Sequence, residues 1–196
     1  QFSRNMLQLN QGNRQNNEPL FAEIGHLAGI AETDWSWSIL MADFDNDSWR
    51  DIYISNGLAK DLTNNDFIAF TQEEKQSEYS FGGGNSQNIS AEQVKYWRKR
   101  LDEFEPVKKT NFFYRNNHSL TFEDQSNLVG ITEKSISQGA VYADFDNDGD
   151  LDLVVNNMNQ EAFVMRNELR KSTADTTNNF LRIELKGNLG NLSGIG

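Results

Sequence analysis

Two nine-residue stretches, Asp43 to Asp51 and Asp144 to Asp152, carry carboxylates at their positions 1, 3, 5 and 9. Alternate positions of a tightly wrapped loop can point inward, leaving Phe44 and Phe145 to turn away into apolar packing. Hard oxygen donors at this density suit Ca²⁺, which takes roughly six to eight oxygens in flexible geometry. Two carboxylates about 4 Å apart repel by roughly 4 kcal/mol at an effective dielectric near 20, so four converging ones call for a cation. The expected ligands of the first site are Asp43, Asp45, Asp47 and Asp51, with the main-chain carbonyl of Trp49 at position 7. Those of the second are Asp144, Asp146, Asp148 and Asp152, with the carbonyl of Asp150, and water completes each shell. An isolated Asp-x-Asp-x-Asp is often only a solvated acidic loop; two copies at equivalent places weigh against that.

The loops begin like an EF-hand, but position 12 is Ile54 or Val155 rather than a bidentate Glu, and the flanks read as strands. At position 6 the second loop has Gly149, suited to a sharp turn, and the first has Ser48. The first site is therefore expected to be the weaker or more strained of the two.

The elements that must hold these loops repeat with them. Phe21 to Asn56 aligns with Phe122 to Asn157 at a constant offset of 101 residues (Asp43 to Asp144), and Ala42-Asp43-Phe44-Asp45-Asn46-Asp47 recurs identically from Ala143 to Asp148. Upstream, Asn5 to Asn10 corresponds to Asn111 to Asn116, and a third copy begins at Phe163-Val164-Met165-Arg166-Asn167, 51 residues after Phe112. A unit of about 50 residues falls in the range of propeller and solenoid repeats. Leu7 to Leu9 and Phe112 to Tyr114 are strand-like. Ile39 to Ala42 and Ala140 to Ala143 lead into the loops, and Asp51 to Ser55 and Leu151 to Val155 leave them, rich in β-branched and aromatic residues. Asn56-Gly57 reads as a turn.

Between the copies the texture changes. Val94, Trp97, Leu101 and Phe104 fall on one face of a helix over Ala91 to Phe104, with Ser90 and Gln93 as a capping box and Pro106 after its end. A weaker helix is expected near Asp66 to Lys75, and Gly82-Gly83-Gly84 reads as a connector. The expected organisation is a first repeat over 1–58, a helical insertion over 59–110, a second repeat over 111–158, a further repeat or linker over 159–177, and the opening of another domain over 178–196. Starting at Gln1 in mid-pattern and stopping at Gly196, the chain reads as a segment of something longer.

Composition excludes several functions. With 29 acidic residues against 18 basic, the formal charge of −11 disfavours nucleic acid and anionic lipid as partners. The absence of cysteine removes disulfides, thiolate zinc sites and cysteine nucleophiles. No stretch approaches the ~18 apolar residues of a membrane span. Lys95-Tyr96-Trp97-Arg98-Lys99-Arg100 reads as a solvated helix face. Trp35 and Trp37 share one face of an extended segment, fit for packing between sheets more than for a sugar. His26 and His118 occupy no equivalent positions and make no triad, so surface histidine is expected of both.

Asp144-Phe145-Asp146-Asn147-Asp148-Gly149-Asp150-Leu151-Asp152-Leu153 closely resembles the FG-GAP/VCBS repeat, the calcium-loop repeat of integrin α-subunit propellers. Trp35-Ser36-Trp37, the Asp43 loop, and Asn178 to Gly187 resemble a narrower group that joins such repeats to a C-terminal UnbV/ASPIC domain, the cartilage acidic protein-like and bacterial surface proteins. The repeat resemblance covers roughly 1–58 and 111–167, the UnbV/ASPIC resemblance only 178–196. It implies a mainly β fold of propeller blades, Ca²⁺ at the strand-connecting loops, and an extracellular or cell-surface setting such as the bacterial outer membrane. Ser48, the helical insertion and too few blades to close a ring depart from it. The expected function is a Ca²⁺-stabilised binding or scaffold module with two structural ions and no catalysis. Its expected partners are a protein or glycan ligand, or other subunits of a surface complex. The alternative is a propeller-type hydrolase acting on polysaccharide, for which no second set of carboxylates stands out.

Overall fold

The computed structural model describes residues 4–61, 91–169, 180, 181, 183 and 185–187. These are mainly β, with two short helices and several antiparallel sheets. The strands are β1 (Gln8–Asn13), β2 (Pro19–Glu23), β3 (Ser36–Ala42), β4 (Asp51–Asn56), β5 (Lys109–Thr110), β6 (Phe112–Asn116), β7 (Phe122–Asp124), β8 (Lys134–Ser135), β9 (Ser137–Ala143), β10 (Asp152–Asn157) and β11 (Phe163–Met165). The helices are α1 (Gly25–Ala28) and α2 (Ala91–Asp102). The weaker helix expected near 66–75, the glycine connector at 82–84 and Ser90 lie outside the described residues.

A four-stranded antiparallel sheet runs β3-β4-β6-β7, a three-stranded one runs β9-β10-β11, and β1 pairs with β2. The sheets cut across the sequence repeat. β6 and β7 belong to the second sequence unit, yet they complete the sheet that β3 and β4 begin, with Ile52 opposite Tyr114 and Tyr53 opposite Phe113. By the same repeat, β1 and β2 are the counterparts of β6 and β7. Leu58 and Val107 close the base of the insertion by exchanging backbone hydrogen bonds of 3.0 and 2.8 Å. The stretch between them therefore leaves and rejoins the sheet at its β4–β6 junction. Within it, Leu101 and Phe104 of the expected helical stripe are half-buried, whereas Val94 is exposed.

β4 is buried along its whole length because each of its faces meets a different layer. Tyr53 faces Ala42, Phe44, Phe113, Ile131, Leu153 and Val155, the core shared with β9-β10-β11. Ile52 and Ile54 face Ala28, Ile30 and Tyr114, with Leu7 and Phe122 packed against them. A strand sandwiched on both sides reads as a continuous apolar run, as Ile52-Tyr53-Ile54 does. On β3, Ile39 pairs with Ile54 and Met41 with Ile52, so they share this second face, but together with Trp37 they lie exposed. The packing between sheets expected of Trp35 and Trp37 is thus not made among the described residues. Trp37 instead donates its indole N–H to the Gly57 carbonyl at 2.6 Å.

Candidate metal centre

Each Asp loop joins the first two strands of a sheet, β3 to β4 and β9 to β10. Both wrap on the same hydrogen bonds. Asp43 accepts the N–H groups of Asp47 and Ser48 at 3.0 and 2.9 Å, and Asp144 accepts those of Asp148 and Gly149 at 3.1 Å each. Asp47 accepts Trp49 N–H at 2.8 Å, and Asp148 accepts Asp150 N–H at 3.1 Å. An Asp side chain that captures backbone amides ahead of it curls the chain into an Asx turn. Asn46 and Asn147 take the left-handed conformation in both loops, and Gly149 does so without steric penalty. Ser48 adopts φ +75 at the same place, so the first loop carries backbone strain that the second does not.

This wrapping brings together Asp43, Asp45 and Asp47, and separately Asp144, Asp146 and Asp148, each triad offering carboxylate oxygens within 4.8 Å of one another. At that separation a pair of charges repels by roughly 3–4 kcal/mol at an effective dielectric near 20. An all-oxygen, anionic, curved donor set fits a hard divalent cation such as Ca²⁺.

The position-9 carboxylates, expected as ligands too, also accept backbone hydrogen bonds. Asp51 is fully buried and accepts Phe44 N–H at 3.2 Å and Asn116 N–H at 3.0 Å. Asp152 accepts Phe145 N–H at 3.0 Å and Asn167 N–H at 2.8 Å. Each ties the start of its loop to a neighbouring strand end. At position 7, Trp49 is exposed and stacks on His118, with ring centroids 5.6 Å apart. Its counterpart Asp150 is fully buried and accepts a hydrogen bond from the Asn46 amide at 3.1 Å. That bond and one from the same amide to the Gly149 carbonyl at 3.3 Å join the two loops, and the Asn167 side chain adds a further tie to the Phe44 carbonyl at 2.7 Å.

Burial pushes the Asp51 carboxyl up to about 6; the Asn116 N–H opposes this and the charge of Asp45 adds to it. Asp45 is raised by burial, partly offset by the Arg115 guanidinium. Burial acts the same way on Asp47, but hydrogen bonds from His118 and Trp49 outweigh it and hold that carboxyl below its ordinary value. The Asp150 N–H does the same for Asp148.

Residue type and spacing within the loops did not reveal Arg115, Arg166, Asn116, Asn167 or His118. Arg115 Nη2 lies 2.6 Å from Asp45 and 3.7 Å from Asp47, while Arg166 Nη2 contacts Asp146 and lies 3.4 Å from Asp148. His118 meets Asp47 at 2.6 Å. The recurrence of Arg-Asn at 115–116 and 166–167, 51 residues apart, is the sequence signal that could have found four of them. His118 has no such repeat.

An FG-GAP-like repeat is found at residues 103–155, a span that includes β6 and the whole second Asp loop. It stops short of 178–196, and nothing found there shows the UnbV/ASPIC-like domain. No curated protein matches the chain. Among the described residues no helix is long and apolar enough to cross a membrane.

Proposed function

We propose that this chain is a Ca²⁺-stabilised run of β-propeller blades that serves an extracellular or cell-surface protein as a binding or scaffold module, without catalysis of its own. The observation that carries the reading is the pair of Asp triads, built alike at equivalent strand connections. The FG-GAP-like repeat around the second loop supports it, since repeats of this kind are typical of extracellular proteins. In this reading β3-β4-β6-β7 is one blade, β9-β10-β11 belongs to the next, and β1-β2 is the outer half of the one before. The exposed Trp37, Ile39 and Met41 then form the surface on which the inner strands of that preceding blade would pack.

Asp43, Asp45 and Asp47, and likewise Asp144, Asp146 and Asp148, would hold one Ca²⁺ each. The ion would supply the charge that lets three carboxylates share a loop, and so link the stability of the fold to external calcium. Affinities of about 10⁻⁴ to 10⁻³ M suit such a module. Isothermal calorimetry on chelator-treated protein, with Mg²⁺ as control, should find two Ca²⁺-selective sites.

Asp146→Ala supplies the matching mutational result. At calcium a hundredfold above its Kd, one site contributes about 2.7 kcal/mol. The variant should lose about that much in calcium. In chelator it should lose little, because its pair with Arg166 is half-exposed and worth about 0–1 kcal/mol. Equal loss in both media would sink the calcium reading.

A further inference from the structure

We infer that Arg115 and Arg166 are positioning residues for the two cation sites, each holding the position-3 and position-5 carboxylates of its loop in the arrangement that takes the ion. This rests on the calcium reading above. Neither arginine lies in the loop it serves. Arg115 is on β6 and Arg166 directly follows β11, the third strands of their sheets, and the two are related by the same 51-residue step as those strands.

The contacts are equivalent. Arg115 Nη2 is 2.6 Å from Asp45 Oδ2 and 3.7 Å from Asp47 Oδ2. Arg166 Nη2 touches Asp146 Oδ2 and is 3.4 Å from Asp148 Oδ2. Both guanidinium side chains are more exposed, at 43% and 48%, than the carboxylates they touch, which range from 8% to 30%. The carboxylate is thus the more buried partner in each pair. The other oxygens of Asp47 and Asp148 accept loop N–H groups. A carboxylate oxygen offers about two lone-pair directions, so one engaged by a donor can still face a cation.

Charge permits the arginine and the ion together. The first loop's four carboxylates carry −4 and the second loop's five carry −5; Ca²⁺ leaves −2 and −3, and one guanidinium each leaves −1 and −2. Partners that orient ligating side chains in this way typically change metal affinity about 10- to 100-fold when removed. The opposite role is also physically coherent: an arginine standing in for the cation would have to be displaced by it. The two roles differ in sign. Removing a positioning residue weakens binding, whereas removing a competitor tightens it.

The test is Ca²⁺ calorimetry, with Tb³⁺ luminescence as a second readout, on the whole chain carrying Arg166→Ala, Arg166→Lys or Arg115→Ala. Arg4→Ala, which breaks the exposed Arg4–Glu23 pair away from the loops, serves as control. The expected result is that each Arg→Ala variant weakens one of the two sites by about 10- to 100-fold and spares the other. Arg166→Lys should recover part of the loss, and Arg4→Ala should change neither site. A general loss of stability would weaken both sites alike and would not be rescued by lysine. If the wild type binds Ca²⁺ and Arg166→Ala binds it equally or more tightly, the positioning role is wrong while the calcium reading stands. If the wild type binds none, both fall together.

Discussion

Asp51→Ala should cost about 3–5 kcal/mol even in chelator. The carboxylate is fully buried and receives the N–H groups of Phe44 and Asn116, one from its own loop and one from the neighbouring strand. Hydrogen bonds to a charged group are worth about 1.5–3 kcal/mol each, and alanine would leave two donors with no acceptor in a dry place. A cost that persists in chelator is what separates this residue from Asp146. Asp51→Asn keeps the shape and one of the two acceptor oxygens, so it should lose about half as much. Urea denaturation of both variants, with and without chelator, checks the ordering; Asp51→Ala unchanged in chelator would show that position 9 is only a ligand.

The same residue sets a pH dependence in chelator. Its folded value of about 6 stands above the ordinary 3.8, so the folded chain binds the proton more tightly than the unfolded chain does. Stability from this group is then greatest at low pH and falls as pH rises through about 4 to 6. The wild type should accordingly gain on Asp51→Asn as pH drops from 7 towards 5. Calcium at the adjacent triad favours the ionised form and should flatten that difference.

Asp51 also shows what the sequence could not say. Position 9 is aspartate in both loops, like positions 1, 3 and 5, and nothing in residue type shows that it also braces the fold. What separates Asp51 is a strand end more than 60 residues away, Asn116, brought near by the pairing of β4 with β6 across the insertion. The loops themselves were legible because a six-residue identity recurs at one offset and because Asx turns are local. The helix over Ala91–Asp102 was legible for the same reason: its signal is a local apolar stripe. Sheet boundaries were not, since the repeat defines a period without defining which strand of each unit opens a sheet. Arg115 and Arg166 escaped notice because they act on carboxylates that precede them by 70 and 20 residues, respectively (Asp45 and Asp146).

Gly57→Ala should be about as damaging as the loss of Asp51, for a steric reason. Gly57 sits at φ +123, outside the range L-residues readily adopt. A Cβ there would lie 2.4 Å from the Ser135 carbonyl oxygen and 2.7 Å from Ile136 Cα. Those are backbone atoms, so no rotamer change relieves the overlap. They are also held in place. Lys109 pairs with Ser135 across β5 and β8, Met158 N–H donates to the Ile136 carbonyl at 2.9 Å, and the Ser135 hydroxyl joins a buried chain through Ser137 to Asn157. Yielding at Ser135 would pull β5-β8 and the edge of β9-β10 out of register together. Overpacking costs about 1–3 kcal/mol and a forced positive φ about 1–2 more, so a total near 3–4 kcal/mol is expected. At roughly 2–4 °C per kcal/mol for a chain of this size, the melting temperature should fall by about 10 °C. Gly139→Ala is the control: it lies in β9, its φ is not positive, and among the described residues a methyl group there would meet no atom within 4 Å. It should shift stability by no more than about 0.5 kcal/mol. If the two glycine variants melt together, the close approach between Gly57 and the Ser135–Ile136 backbone does not exist in solution, and the contact between the two larger sheets would need a different seam.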